Sequence, residues 1–389
     1  MRITNNMMFD SSIRNLNNNL QRLSDAQTKY STQSKIQVPS DDPVIATRAI
    51  KYRDYVADVE QYQKNTSDAT SWMQVTDDAL QGVADYVTRL KELITNGAND
   101  TNSATSKTAI ADEIKEIRKG LVDTMNTSYA GRYVFAGYNT DEPPYGTKTI
   151  SVTNAAGNTV SVEKVTYKNQ YLNISGPVSA SISDTEITNN IYTAANTGVY
   201  NPAGIKPNGS YRAVTQDISY HVSNGSEVKV NLEGQNVVGW SGDKDHGGYT
   251  DAGANIFDTI DKLLIGLNGE SSYKVASYNT TTLAWEVKTL PSPATTSAAL
   301  ISSCLGDLET DLNRVTKAQS ELGARMNYVE STDSRLGSNQ LTYTKLLSSN
   351  EDIDVAQSSM EVSTAQSVYE GALAVTAKVT KASLVDYLR

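Results

Sequence analysis

Between residues 301 and 343 an apolar side chain returns at every seventh position: Ile301, Leu308, Val315, Leu322, Val329, Leu336 and Tyr343. Four residues after each lies a second position, filled by Leu305, Leu312, Met326 and Leu347 but also by Gln319, Asp333 and Gln340. A repeat of seven held this long predicts a helix packed lengthwise on a neighbouring helix, because that packing is what buries one narrow stripe. The polar members predict a seam that is narrow or partly wet. At 1.5 Å per residue, residues 301–347 would run about 70 Å, the length of a rod rather than a globule.

A matching stripe lies upstream. Tyr52, Val59, Thr66, Met73, Leu80, Val87 and Ile94 also recur at seven. The run Pro39-Ser40-Asp41-Asp42-Pro43 marks its start, with Asp42 suited to cap the helix and Pro43 to occupy its first turn. Asn96-Gly97 marks its end, and Ile110, Ile114, Ile117 and Leu121 predict a shorter third helix. The extreme ends form another candidate pair. Ile13, Leu16, Leu20, Leu23 and Tyr30 follow a 3-4 spacing, and so do Ala365, Val368, Ala372, Val375, Val379 and Ala382. Five apolar residues spread over 13–30 cannot offset the folding entropy alone. The terminal stripes either close as an intramolecular hairpin or complete their core between subunits. Heptad phase is lost at 348–352, which leaves either a break, with Ser348 and Glu351 as a capping box, or an uninterrupted helix with a stutter.

Glycine and proline separate these arms from the middle. Residues 1–145 hold five Gly and four Pro, residues 301–389 four Gly and no Pro, and the stretch between them fifteen Gly and five Pro. Strands are predicted at 149–153, 159–167, 211–215, 218–222 and 227–232, with turns at 156–158, Asn208-Gly209, Asn224-Gly225 and Gly247-Gly248. An amphipathic helix is predicted over 254–267 and a hairpin over 273–289. The fold class that follows is α+β: long coiled-coil-like helical arms from both chain ends, with a central β-rich inserted domain. The expected divisions are terminal helices at 1–40 and 350–389, a helical rod at 41–145 and 294–349, and a β-rich insert at 146–293.

The residues offer little chemistry. A net charge of −10 disfavours phosphate backbones and so argues against a nucleic-acid partner. The single Cys304 excludes an intrachain disulfide, and His221 and His246 are the only histidines. The loop holding Asp243, Asp245 and His246 loosely resembles a calcium loop, but Ala254 stands where a bidentate Glu belongs, so a solvated loop is expected. Asp41-Asp42 and Asp77-Asp78 read as helix starts or exposed faces. No phosphate loop or nucleophile elbow is present. The expectation is no enzyme, no cofactor, no metal and no membrane insertion. The amino terminus lacks the charge and apolar run of a cleavable signal. The 22 Tyr against three Phe and three Trp suit seams and half-buried strands.

Several stretches resemble the flagellin-like family. These are Pro39–Pro43 before a long helix, Asn65-Thr66-Ser67-Asp68-Ala69 with Trp72, the segment Gly131–Gly137 followed by Thr140 and Pro143-Pro144-Tyr145, the stretch Gly323–Glu330, and the close Ala382–Leu388. The Gly131–Gly137 segment is similar to the hook–filament junction branch of that family, whereas Met1-Arg2-Ile3-Thr4 departs from the start of flagellin proper. The resemblance implies a structural role as adaptor between hook and filament, with the terminal stripes lining a tube core and the insert facing outward. It implies self-assembly into a ring, with hook-associated protein 1, flagellin and a flagellar export chaperone as partners. It also implies an extracellular place in the flagellum, reached without a cleaved signal. Two other readings are a filament subunit and a surface-binding module acting through the insert.

Overall fold

The computed structural model describes residues 5–98, 103–137, 139–153, 159–167, 170–171, 175–177, 217–239, 255–279, 284–290 and 296–387. Its compact units are Met1–Gln63 with Ser334–Arg389, and Lys64–Asp333. The long helices α2 (Pro43–Gly97) and α6 (Ser297–Glu351) each contribute to both units. The architecture is the expected α+β arrangement of helical ends around a middle that holds small sheets.

In the Lys64–Asp333 unit, heptad residues of α2 and α6 share one hydrophobic cluster. Met73, Leu80, Val87 and Ile94 lie with Ile301, Leu308, Val315, Leu322 and Val329, all essentially without exposed surface. The helices run antiparallel. Thr66 Oγ1 donates to Asp333 Oδ1 at 2.7 Å, Gln319 Nε2 to Gln81 Oε1 at 3.4 Å, and Lys91 Nζ to Glu309 Oε1 at 3.0 Å. The polar seam members therefore hydrogen-bond across the seam. Helix α3 (Ala104–Met125) adds Ile114, Leu121 and Met125 to the cluster. Its carboxyl end fixes the start of the β region, since the Asn126 side chain both donates to Tyr145 O and accepts from Tyr145 N, each at 2.9 Å.

The strands are short and antiparallel. They comprise β1 (Ser128–Tyr129) with β2 (Arg132–Tyr133), and a sheet ordered β3 (Tyr145–Thr153), β4 (Thr159–Tyr167), β5 (Gln170–Tyr171). A third sheet is ordered β10 (Ala284–Leu290), β9 (Tyr273–Asn279), β6 (Ser175–Pro177), and β7 (Ser219–Ser223) pairs with β8 (Ser226–Lys229). The Asn224-Gly225 turn joins β7 to β8 with Gly225 at φ +73°, a conformation that needs glycine. The expected strand at 211–215, the turns at 156–158, 208–209 and 247–248, and the loop of Asp243, Asp245 and His246 lie outside the described residues.

A short helix α4 (Gly234–Val238) precedes α5 (Ile256–Leu267). The predicted 254–267 helix thus starts at Ile256, and Asn255 caps it by accepting from Asp258 N at 2.9 Å. The polar side of this amphipathic helix is buried. Asp258, Thr259, Asp261 and Lys262 are all buried. Charges from neighbouring elements cover three of these: Lys164 and Arg118 meet Asp261, Lys262 Nζ donates to Asp307 Oδ2 at 2.7 Å, and Thr259 Oγ1 donates to Asp311 Oδ2 at 3.1 Å. Buried charges of this kind are tolerated only when paired.

In the other unit, α1 (Asn5–Thr32) packs on α7 (Val355–Tyr387). Asp42 caps α2 by accepting from Val44 N at 2.9 Å and Ile45 N at 3.1 Å. The helix does break near 348–352, but no Ser348–Glu351 capping box forms. Helix α6 ends at Glu351, and Asp354 caps α7 by accepting from Ala356 N at 2.9 Å and Gln357 N at 3.1 Å. A carboxylate one residue before the helix satisfies its orphan N–H groups better than a serine placed inside the preceding one.

Candidate assembly surfaces

The terminal stripes are only partly covered by one another. Leu23 is buried, and Leu16, Ala365 and Ala372 are half-buried. Ile13 and Tyr30 are exposed, and Leu20, Val368 and Val375 retain 47, 49 and 59 % of their surface. The side chains of Val379 and Ala382 lie outside the described residues. Between α1 and α7 runs an open groove of about 480 Å³, lined by Asn19, Arg22, Met360, Thr364, Ala365 and Val368 among others. A two-helix hairpin has two apolar arcs and covers only the facing parts of each, so residues off the contact line stay in water.

The seam residues differ sharply from these. Val59, Met73, Leu80, Val87, Ile94, Ile301, Leu308, Val315, Leu322, Val329 and Leu336 are buried, whereas Tyr52 and Tyr343 are half-buried. The Tyr343 ring stacks on Tyr55 with centroids 5.2 Å apart and planes 28° apart. Sequence periodicity missed other exposed apolar residues: Met7, Val38, Val44, Ile50, Leu341, Leu346, Val355, Met360 and Leu373. Their signal is an apolar residue out of phase with its own stripe. Among the described residues, the exposed large apolar side chains fall in the unit of Met1–Gln63 and Ser334–Arg389, Tyr328 excepted.

The titratable groups fit a structural role better than a catalytic one. Burial pushes the Asp311 carboxyl up to about 7, against the opposing pull of Arg314 and the Thr259 hydroxyl. Burial likewise raises the Cys304 thiol to about 12, and its Sγ donates to Leu300 O at 3.5 Å. Two backbone N–H groups, of Gln37 and Val38, hold the Asp41 carboxyl below its ordinary value. His221 is exposed beside Glu227, at 3.5 Å. Among the described residues, no group of three or more His, Cys, Asp or Glu could hold a metal ion, and no helix is long and apolar enough to cross a membrane.

Paired terminal helices with unfinished apolar faces, at the two ends of a chain whose middle holds small sheets, define a class of helix-ended proteins. The family pattern for the bacterial flagellin N-terminal helical region matches residues 3–140, and that for the bacterial flagellin C-terminal helical region matches residues 305–388. The chain belongs to the flagellin-like family. It is 24 % identical to a flagellin of Clostridium tyrobutyricum over 388 residues, covering 93 % of this chain and 94 % of that one. It is 29 % identical to flagellar hook-associated protein 3 of Escherichia coli K12 over 146 residues, 37 % of this chain. That alignment spans 46 % of the hook-associated relative's length. The fold is similar to the solved structure of a putative flagellar hook-associated protein from Vibrio parahaemolyticus, with a TM-score of 0.51 at 15 % identity, covering 80 % of this chain and all of that one.

Proposed function

We propose that the protein is a structural subunit of the bacterial flagellum, the adaptor at the hook–filament junction on which filament growth starts. The observation that carries this reading is the segregation of exposed apolar residues. A fold that buries its seam residues almost completely, yet leaves Leu20, Val368 and Val375 in water, has a face suited to further helices. In this reading the terminal helices at 1–40 and 350–389 line the polymer core. The rod at 41–145 and 294–349 forms the next shell, and the insert at 146–293 faces outward. Copies of the chain assemble as a ring, between hook-associated protein 1 and flagellin. A flagellar export chaperone escorts it. The role is mechanical and requires neither enzyme activity nor cofactor.

The 29 % identity to hook-associated protein 3 supports the junction. A second reading, a filament subunit, draws on the flagellin alignment along 93 % of the chain. Electron microscopy of a deletion strain separates them. The junction role predicts bare hooks with flagellin shed into the medium. The loss of one flagellin species alone, with other filaments intact, supports the second reading, and normal flagella overturn both.

A further inference from the structure

We propose that Tyr55 and Tyr343 form an oxidative cross-linking site, at which a one-electron oxidant of the peroxidase type, driven by hydrogen peroxide, joins the two rings and ties α2 to α6. Both residues lie in the unit of Met1–Gln63 and Ser334–Arg389.

The ring centroids stand 5.2 Å apart with planes 28° apart, within the range of stacked aromatic pairs. Tyr55 keeps 48 % of its surface and Tyr343 is half-buried, so the pair is open to an oxidant in solvent. Hydrogen bonds between the two helices bracket the rings on either side. Asn350 Nδ2 donates to Ile45 O at 3.0 Å, and Gln340 Nε2 donates to Glu60 Oε1 at 3.5 Å. The helices therefore hold the rings near each other, and each ring has only its own two rotatable bonds through which to move away.

The other tyrosines show what singles this pair out. Tyr145 and Tyr167 stand at nearly the same separation, 5.1 Å, but both are buried. Tyr30 and Tyr328 are exposed but stack on no second tyrosine. Cys304 and Trp72, which give up electrons as readily as a phenol, are buried as well. Among the described residues, access and proximity coincide at Tyr55 and Tyr343.

The chemistry balances as follows. Each phenol gives one electron to the oxidant and its hydroxyl proton to solvent, leaving a phenoxyl radical whose spin is shared with the ring carbons next to the oxygen-bearing one. The two radicals couple by forming one carbon–carbon bond between a Cε of Tyr55 and a Cε of Tyr343. The hydrogens on those carbons then pass to the two oxygens as the rings regain aromaticity. Two electrons and two protons leave the protein, and hydrogen peroxide takes up both of each to become two molecules of water.

The bond would fall where burial between these helices is least. The large apolar cluster that α2 and α6 share runs over residues 69–329 and has no member in this unit. Here the buried apolar side chains of the two helices are Ala46, Ala49, Val59 and Leu336. A covalent tie adds most to a contact that packing leaves weak.

The test treats purified full-length monomer with a peroxidase and hydrogen peroxide. Two groups held together in one chain meet at an effective concentration of millimolar or more, so at about 10 µM protein the link within the chain should outrun links between chains by about a hundredfold. A protease digest should yield one joined pair of peptides carrying Tyr55 and Tyr343, two hydrogen atoms lighter than their sum and fluorescent as dityrosine. Tyr55→Phe and Tyr343→Phe each keep a ring but lose the phenol. Either should abolish the joined peptide and most of the fluorescence, with circular dichroism showing the helices intact. In the cross-linked parent, amide exchange over residues 45–60 and 336–350 should slow relative to untreated protein. The proposal is overturned if the joined peptide is absent, if links between chains dominate, if either variant keeps the fluorescence, if Tyr145 and Tyr167 couple as readily in the folded protein, or if exchange in the two helices is unchanged. The experiment uses monomer, so its outcome is independent of where in the flagellum the protein sits.

Discussion

Asp311 has no exposed surface, and its carboxylate holds Thr259 of α5 and Arg314 of its own helix. Its folded value lies near 7, against 3.8 for the free side chain, so the folded state binds the proton more tightly than the unfolded chain does. The stabilisation linked to that proton is complete below the unfolded value and is lost as pH rises through about 7. Asp311→Asn should therefore flatten the fall in stability between about pH 4 and about pH 7, by on the order of 1–3 kcal/mol, as read by thermal unfolding at the two pH values. Arg314 keeps a second acceptor in that variant, Val238 O at 3.0 Å, so its charge is not orphaned. Cys304 offers a simpler check. With its thiol raised to about 12 by burial, it should resist a thiol reagent at mild alkaline pH while the protein is folded and react promptly once urea unfolds it. Prompt reaction in the folded state would contradict the seam placement of its neighbours.

Two of the closest approaches between elements are made by glycines. A Cβ on Gly266 would stand 2.8 Å from Ile301 Cγ1, where α5 meets α6, so Gly266→Ala should destabilise the Lys64–Asp333 unit by about 1–3 kcal/mol in denaturant unfolding. Gly120 plays the same part for α3, since its Cβ would meet the Tyr86 ring on α2. Neither glycine was readable as special in the sequence, because a glycine inside a helical pattern looks the same whether it faces water or a neighbouring ring. The helix starts were readable. Asp42 before Pro43 is a local signal, and local hydrogen bonds fulfil it. At 348–352 the sequence left a break capped at Ser348 and an unbroken helix both open, because two polar runs lie within a few residues; the structure breaks the helix and caps its restart at Asp354.

For the whole molecule, the test of the unfinished face is a substitution that spares the fold. Val368→Glu with Val375→Glu places charge on positions already about half exposed, so the unfolding free energy should stay within about 1 kcal/mol of the parent while complementation of a deletion strain fails. Restored swimming by this variant would remove the terminal pair from the assembly surface. Periodicity and local chemistry were enough for the two seven-residue stripes, the turn-rich middle, the Asn-Gly hairpin and the Asp42 cap. These are properties of neighbours along the chain, and a helix or tight turn needs little else. The remaining features came from packing between distant segments. It paired the seam's polar members across two helices, placed the polar side of α5 in buried ion pairs with Arg118, Lys164 and Asp307, and tied the two distant crossings at 33–35 and 352–354 together. In each case the partner lies far away in sequence. A pattern along one chain records which residues seek burial or charge, but not which distant residue answers them.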